Sequence, residues 1–264
     1  MPILEPPTIA TPVPYVPGPD VPRPDTSLLV VSDGVPVESQ FAEKQQRLLV
    51  EPLYGCWTPA DGRPFRALCN VGLFHAYKEP PCVPDAMLAI GVPPSDDIHF
   101  SDNRSYFMWV VGKPPDVVIE IVSDTRGGED TTKKEHYATI GVPYYVIFDP
   151  KSHLRSGVLR TFARTADGYQ PVDPARLPST GLGLMLWDGE YEGETSRWLR
   201  WTDGNGNPIP TTKQRADAEA ARADAERKRA NAEKRRANAE KARADEAIAK
   251  LKALEEQLKS KRSS

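Results

Sequence analysis

The sequence is poor in cysteine: Cys56, Cys69 and Cys82 are the three in 264 residues. Being odd in number and widely spaced, they exclude a disulfide framework and a CxxC metal knuckle, and they fit a reducing compartment. No apolar run approaches the roughly 20 residues that span a bilayer, and no basic-then-apolar leader follows Met1. A soluble, cytoplasmic protein without a membrane partner is the expectation. Glycine and proline are plentiful in the chain but absent from residues 213–262, which excludes a loop-rich fold there and leaves a continuous helix.

Charge divides the chain at the same place. Residues 213–262 hold 16 of the 34 Lys and Arg and 10 of the 37 Asp and Glu, a balance of +6, against −9 for the rest. An acidic body excludes a protein that coats nucleic acid through its whole surface. Residues 1–26 carry so many prolines that neither helix nor central strand can form, and a disordered arm is expected. Residues 27–201 read as one domain and 202–212 as a linker. The heptad line Ala216, Ala223, Ala230, Ala237, Ala244, Leu251 and Leu258 suggests a coiled-coil seam in 213–262, with a homodimer held through residues 244–258. Arg222–Glu226, Arg229–Glu233 and Arg236–Glu240 stand at i,i+4, so a charge-laced single helix is the alternative.

Within the body, Ser27–Ser32 reads as a strand and residues 37–50 as a helix with Phe41, Gln45, Leu48 and Leu49 on one face and the acids Glu38 and Glu43. Residues 65–77, 81–92 and 104–111 read as strands, and residues 154–172 as a hairpin turning at Asp167-Gly168. His75 in an apolar strand reads as a hydrogen-bonded core residue. Trp187, Trp198 and Trp201 are base-stacking candidates, but they alternate with Leu184, Leu186 and Leu199 as core residues do.

The most informative stretch is 113–150. Val117 to Val122 is apolar on both faces, as a central strand is, except for Glu120. A carboxylate there costs several kcal/mol unless it is paired or bound to a cation. Asp116 shares its face by the period of two, and paired carboxylates suit a hard divalent cation. Residues 129–140 form the next helix, stopped by Gly141. Lys133 and Tyr137 share one of its faces, and Glu129 stands four before Lys133. Asp85, opening the apolar run 86–92, is the second carboxylate of interest, with a turn aspartate as the plain alternative.

Taken together, VPDAMLAIGV, RSYFMWVVGKPPDVVIEIVS, the helix with Lys133 and Tyr137, GVPYYVIFDP, LGLMLW and the heptad tail resemble the bacterial Uma-two family of restriction-endonuclease-like proteins, within the PD-(D/E)XK nuclease superfamily. The resemblance covers about residues 30–260. It implies an α/β fold with a restriction-endonuclease-like core, a mixed β-sheet flanked by helices, followed by the long helix. It also implies a metal-dependent DNA endonuclease, with catalytic roles carried onto Asp85 and Glu120. The superfamily's lysine position, two after the glutamate, is Val122 here, and Lys133 is the relocated candidate. Asp116 competes with Asp85 for the aspartate role.

Such a site would bind Mg²⁺, or Mn²⁺ in its place, through Asp85, Glu120 and the carbonyl of Ile121, with Glu43 or Glu38 completing the shell and Tyr137 as an accessory. DNA is then the expected partner. The alternative is a catalytically silent nuclease fold that acts as an interaction module through its C-terminal helix.

Overall fold

The computed structural model describes residues 39–122 and 128–262. The expectations for residues 1–38, including the proline arm, the Ser27–Ser32 strand and Glu38, lie outside them. The chain divides into two compact units, the second beginning at Lys213.

The first helix, α1 (Gln40–Cys56), starts where Ser39 turns extended and its hydroxyl accepts the amide of Ala42 at 3.1 Å. It runs six residues past the expected end because Leu53 is fully buried against the sheet. Then come β1 (Phe65–Leu68), β2 (Leu73–Phe74), β3 (Ala86–Ile90) and β4 (Tyr106–Phe107). The strand expected over 104–111 is only β4. A helical turn, α2 (Met108–Val111), follows it and ends at Gly112 with φ 89°. That turn brings Trp109 back against Phe107 and Phe74, with ring centroids 5.2 and 6.5 Å away.

Next are β5 (Val117–Ile121), α3 (Thr132–Thr139), β6 (Tyr144–Phe148), β7 (Leu159–Thr165) and β8 (Gly168–Val172). The hairpin of β7 and β8 turns where expected, with Gly168 at φ 96°. The long ribbon β9 (Gly183–Tyr191) and β10 (Glu194–Thr202) completes the strands.

Six strands make one mixed sheet in the order β1-β3-β5-β6-β7-β8. Within this sheet β5 and β6 run parallel, with α3 as the crossover that parallel neighbours require, while β2 and β4 form a separate parallel pair. The flanking pairs are antiparallel. Alternate side chains feed two layers. Leu88, Val117, Ile119, Val146 and Phe148 pack against Leu49 and Leu53 of α1 and Leu184, Leu199 and Trp201 of the ribbon. Met87, Val118, Tyr145 and Ile147 pack against Tyr137 and Ile140 of α3. Trp198 and Trp201 are thus core residues, 1% and 3% exposed.

Gln45, fully buried on the apolar face of α1, clamps that helix to β10. Its Nε2 donates to the carbonyl of Leu199 and its Oε1 accepts that residue's amide, both at 2.9 Å. The stretch 203–211, expected as linker, packs back on the body. Ile209 joins the core, its amide donates to the carbonyl of Trp201, and its carbonyl accepts from the Arg200 guanidinium. An apolar side chain beside an open core edge buries itself whatever prolines flank it.

The last helix, α4 (Thr212–Arg262), is 51 residues long, about 76 Å at 1.5 Å per residue. Its alanines are exposed along the whole described length, as are Ile248 and Leu251. Its ion pairs among the described residues are Lys213–Asp217, Arg215–Glu219, Arg227–Asp224 and Lys250–Glu246. The three expected pairs beginning at Arg222, Arg229 and Arg236 are not among them. No described helix is long and apolar enough to cross a membrane.

Candidate active site

Glu120 occupies the fourth position of β5, whose parity turns it toward α3. The register pairs Ala86 with Ile119, so one step further Asp85 stands opposite Glu120 on the neighbouring strand. Asp85 is fixed by two donors: the amide of Ile121 reaches Oδ2 at 2.7 Å, and Nε2 of Gln46 reaches Oδ1 at 3.1 Å. Gln46 is itself held by Asn70, whose Nδ2 donates to Oε1 at 2.9 Å. From α3, Lys133 Nζ donates to Glu120 Oε2 at 2.8 Å and the Tyr137 hydroxyl to Oε1 at 2.7 Å. The helical spacing of four delivers both donors to one carboxylate. Glu129, 4% exposed, adds a third carboxylate 3.6 Å from the same ammonium.

Burial dominates the electrostatics. It pushes Glu120 up to about 7, against the pull of Lys133 and with the help of Asp85's charge. Burial also raises Asp85, although the Ile121 amide opposes it. Lys133 responds differently: burial works against its ammonium, but the charge and hydrogen bond of Glu120 and the charges of Glu129 and Asp85 together outweigh it and raise Lys133. The asymmetry follows from exposure, since the Glu120 side chain is 1% accessible and that of Lys133 35%. Lys133 therefore stays charged while Glu120 titrates near neutrality. Tyr137 is raised well above its ordinary value by burial and then by Glu120, so it remains a donor. Cys82 borders the cluster, its thiol driven up to about 12 by burial and then by Glu120.

Other expected participants stand elsewhere. Asp116 shares the parity of Glu120 but sits at the opposite end of β5, about 13 Å along at 3.3 Å per residue. Its Oδ2 accepts the amide of Ile90 at 2.7 Å and the ammonium of Lys113 at 2.6 Å. It ties β3 to β5 there and is no rival to Asp85. Glu43 is half exposed and paired with Arg47 at 2.9 Å. Ile121 contributes its amide to Asp85, which brings its peptide into the cluster. His75 is buried but neither ring nitrogen is hydrogen-bonded. It packs edge-on against His136 at 4.8 Å, and burial followed by that neighbour lowers it to about 4. Sequence reasoning missed Gln46, Asn70 and the depth of Glu129. A second glutamine among buried Ala42, Leu48 and Leu49 was the available signal for Gln46.

Among the described residues, no group of three or more His, Cys, Asp or Glu side chains is gathered as a metal cage. The donor set nevertheless fits a hard divalent cation of the Mg²⁺ kind, which takes one or two carboxylates and fills its shell with water and phosphate oxygens. Asp85, Glu120 and Glu129 all act on the ammonium of Lys133, so carboxylates outnumber that ammonium in the cluster. The oxygens of Asp85 and Glu120 each accept one hydrogen bond and have a second lone pair.

The mixed six-stranded sheet with its flanking helices is that of the restriction-endonuclease-like class of α/β fold. Within that class the chain belongs to the family described as "Uma2: Putative restriction endonuclease", which matches residues 21–181. The family description is that of a nuclease. No curated protein matches the chain.

Proposed function

We propose that the protein is a Mg²⁺-dependent endonuclease that hydrolyses phosphodiester bonds of DNA. The observation that carries this reading is the pair Asp85, at the entry to β3, and Glu120, opposite it on β5 and bonded to Lys133. Asp85 and Glu120 are the side chains that would hold the cation, with the Ile121 carbonyl as third ligand. When bound, Mg²⁺ supplies Lewis-acid polarisation of the phosphodiester and a water of lowered pKa.

The remaining work belongs to the chain. Lys133, charged and one-third exposed, turns its ammonium to the phosphate and offsets the charge that develops on the pentavalent phosphorus. Tyr137 keeps Glu120 oriented through its hydroxyl. Gln46 and the Ile121 amide keep Asp85 from rotating away.

Nicking of supercoiled plasmid with millimolar Mg²⁺ or Mn²⁺ by the wild-type chain, lost in Glu120→Gln, is the expected result. A silent wild-type protein under both metals would sink the reading and leave the fold as an interaction module. For that second reading the specific observation is the exposure of Ile248 and Leu251, 51% and 61%. A homodimer through residues 244–258 would cover them, and sedimentation of the full chain should then show concentration-dependent association. A monomer at all concentrations would remove it.

A further inference from the structure

The positive charge of α4 is not spread along the helix. Between residues 227 and 243, cations occupy positions 227–229, 234–236, 241 and 243, while Glu233 and Glu240 are the only anions. This stretch alone carries a balance of +6, equal to that of the whole of residues 213–262. To either side, cations and anions nearly cancel.

The contrast extends to pairing. Lys213, Arg215 and Lys250 in the flanks reach an acid four residues away. Within the stretch only Arg227 does so, backward to Asp224 at 2.9 Å. The other seven cations make no ion pair among the described residues, and every residue of the stretch is exposed. Eight cations against two anions in seventeen residues leave a net charge that the acids of this stretch do not offset. A helix that needed only solubility or stiffness would continue the alternating pattern of its flanks.

We propose that residues 227–243 form a docking surface for the phosphate backbone of duplex DNA. The triplets recur every seven residues, about 10.5 Å, and the stretch is about 24 Å long. At 3.4 Å per base pair it runs alongside about seven pairs, each with two phosphates. Apart from alanine the stretch has no apolar side chain, so it has nothing to insert into a lipid surface. The body, at −9, repels a polyanion at long range, and a basic helix on the same chain supplies the missing attraction. The proposal deepens the nuclease reading by giving it a substrate-holding element, but it does not depend on cleavage.

The test is binding of a 30-base-pair duplex of arbitrary sequence, followed by fluorescence anisotropy between 50 and 200 mM salt in EDTA, where a failure of metal-dependent cleavage has no effect. The full-length chain is compared with a full-length variant in which Arg227, Lys228, Lys234, Arg235 and Lys241 are replaced by Gln, a residue of similar helix propensity. Each lost phosphate contact removes about 0.9 from the slope of log K against log salt. Three or more contacts shallow it by about 3 and weaken binding at 100 mM salt at least 30-fold. A second variant, Arg227→Lys with Arg235→Lys, retains charge and should retain both slope and affinity. Circular dichroism checks that the helix persists. Unchanged slope and affinity in the Gln variant would overturn the proposal. So would tighter binding of the wild-type chain to anionic lipid vesicles than to duplex at equal phosphate concentration.

Discussion

Replacing Glu120 by Gln should change how stability depends on pH, in a direction set by burial. The folded-state carboxyl titrates near 7, above its ordinary 4.5, chiefly because β5 and α3 exclude water from it. Between those two values the folded protein holds a proton that the unfolded chain has released. The folded state therefore binds more protons, and stability falls as pH rises through this window. Below 4.5 the contribution is fully present, and above about 7 it is gone. At 1.36 kcal/mol per pH unit the loss is roughly 3 kcal/mol, or about 6–12 °C in Tm for a domain of this size.

Gln cannot ionise and is nearly isosteric, so the variant should lack this fall. Subtracting the variant's curve from the wild-type curve in metal-free buffer, pH 4.5 to 8, cancels the other titrating groups. Adding Mn²⁺ at 100 times its Kd at pH 8 should return about 2.7 kcal/mol to the wild type, nearly what ionisation took away, and nothing to Glu120→Gln. Parallel pH curves for the two proteins would refute the argument from burial. An undiminished Mn²⁺ shift in the variant would refute Glu120 as a ligand.

Two further substitutions probe the supports. Lys133→Ala removes the cation that holds Glu120 down, so the fall with pH should extend to more alkaline values. Breaking a buried pair costs about 3–5 kcal/mol, reduced to roughly 2–3 by the partial exposure of Lys133. The Mn²⁺ shift should survive while plasmid nicking is lost, and retention of nicking would remove Lys133 from the chemistry. Gln45→Leu leaves the amide and carbonyl of Leu199 without their partner, at about 1–3 kcal/mol for each buried group. Urea denaturation should show a loss of roughly 2–6 kcal/mol on that basis, and a change under about 0.5 would mean that β10 finds another partner.

The sequence by itself determined the elements and the chemistry they carry. Glu120 was visible because it interrupts an apolar run, and Lys133 and Tyr137 because a helical period of four joins them. The long helix was visible because nothing in 213–262 breaks it. These signals are local, carried by periodicity and the cost of a buried charge. Which carboxylates meet was decided by the tertiary structure alone. Parity made Asp116 look like the partner of Glu120, but strand register placed Asp85 opposite it and sent Asp116 to Lys113 and Ile90. Register is a relation between strands about 30 residues apart, and no local period encodes it. The same holds for Gln46 and Asn70, whose amides meet over Asp85 from separate elements. It holds too for Glu129, whose burial depends on what the sheet and α3 enclose around it.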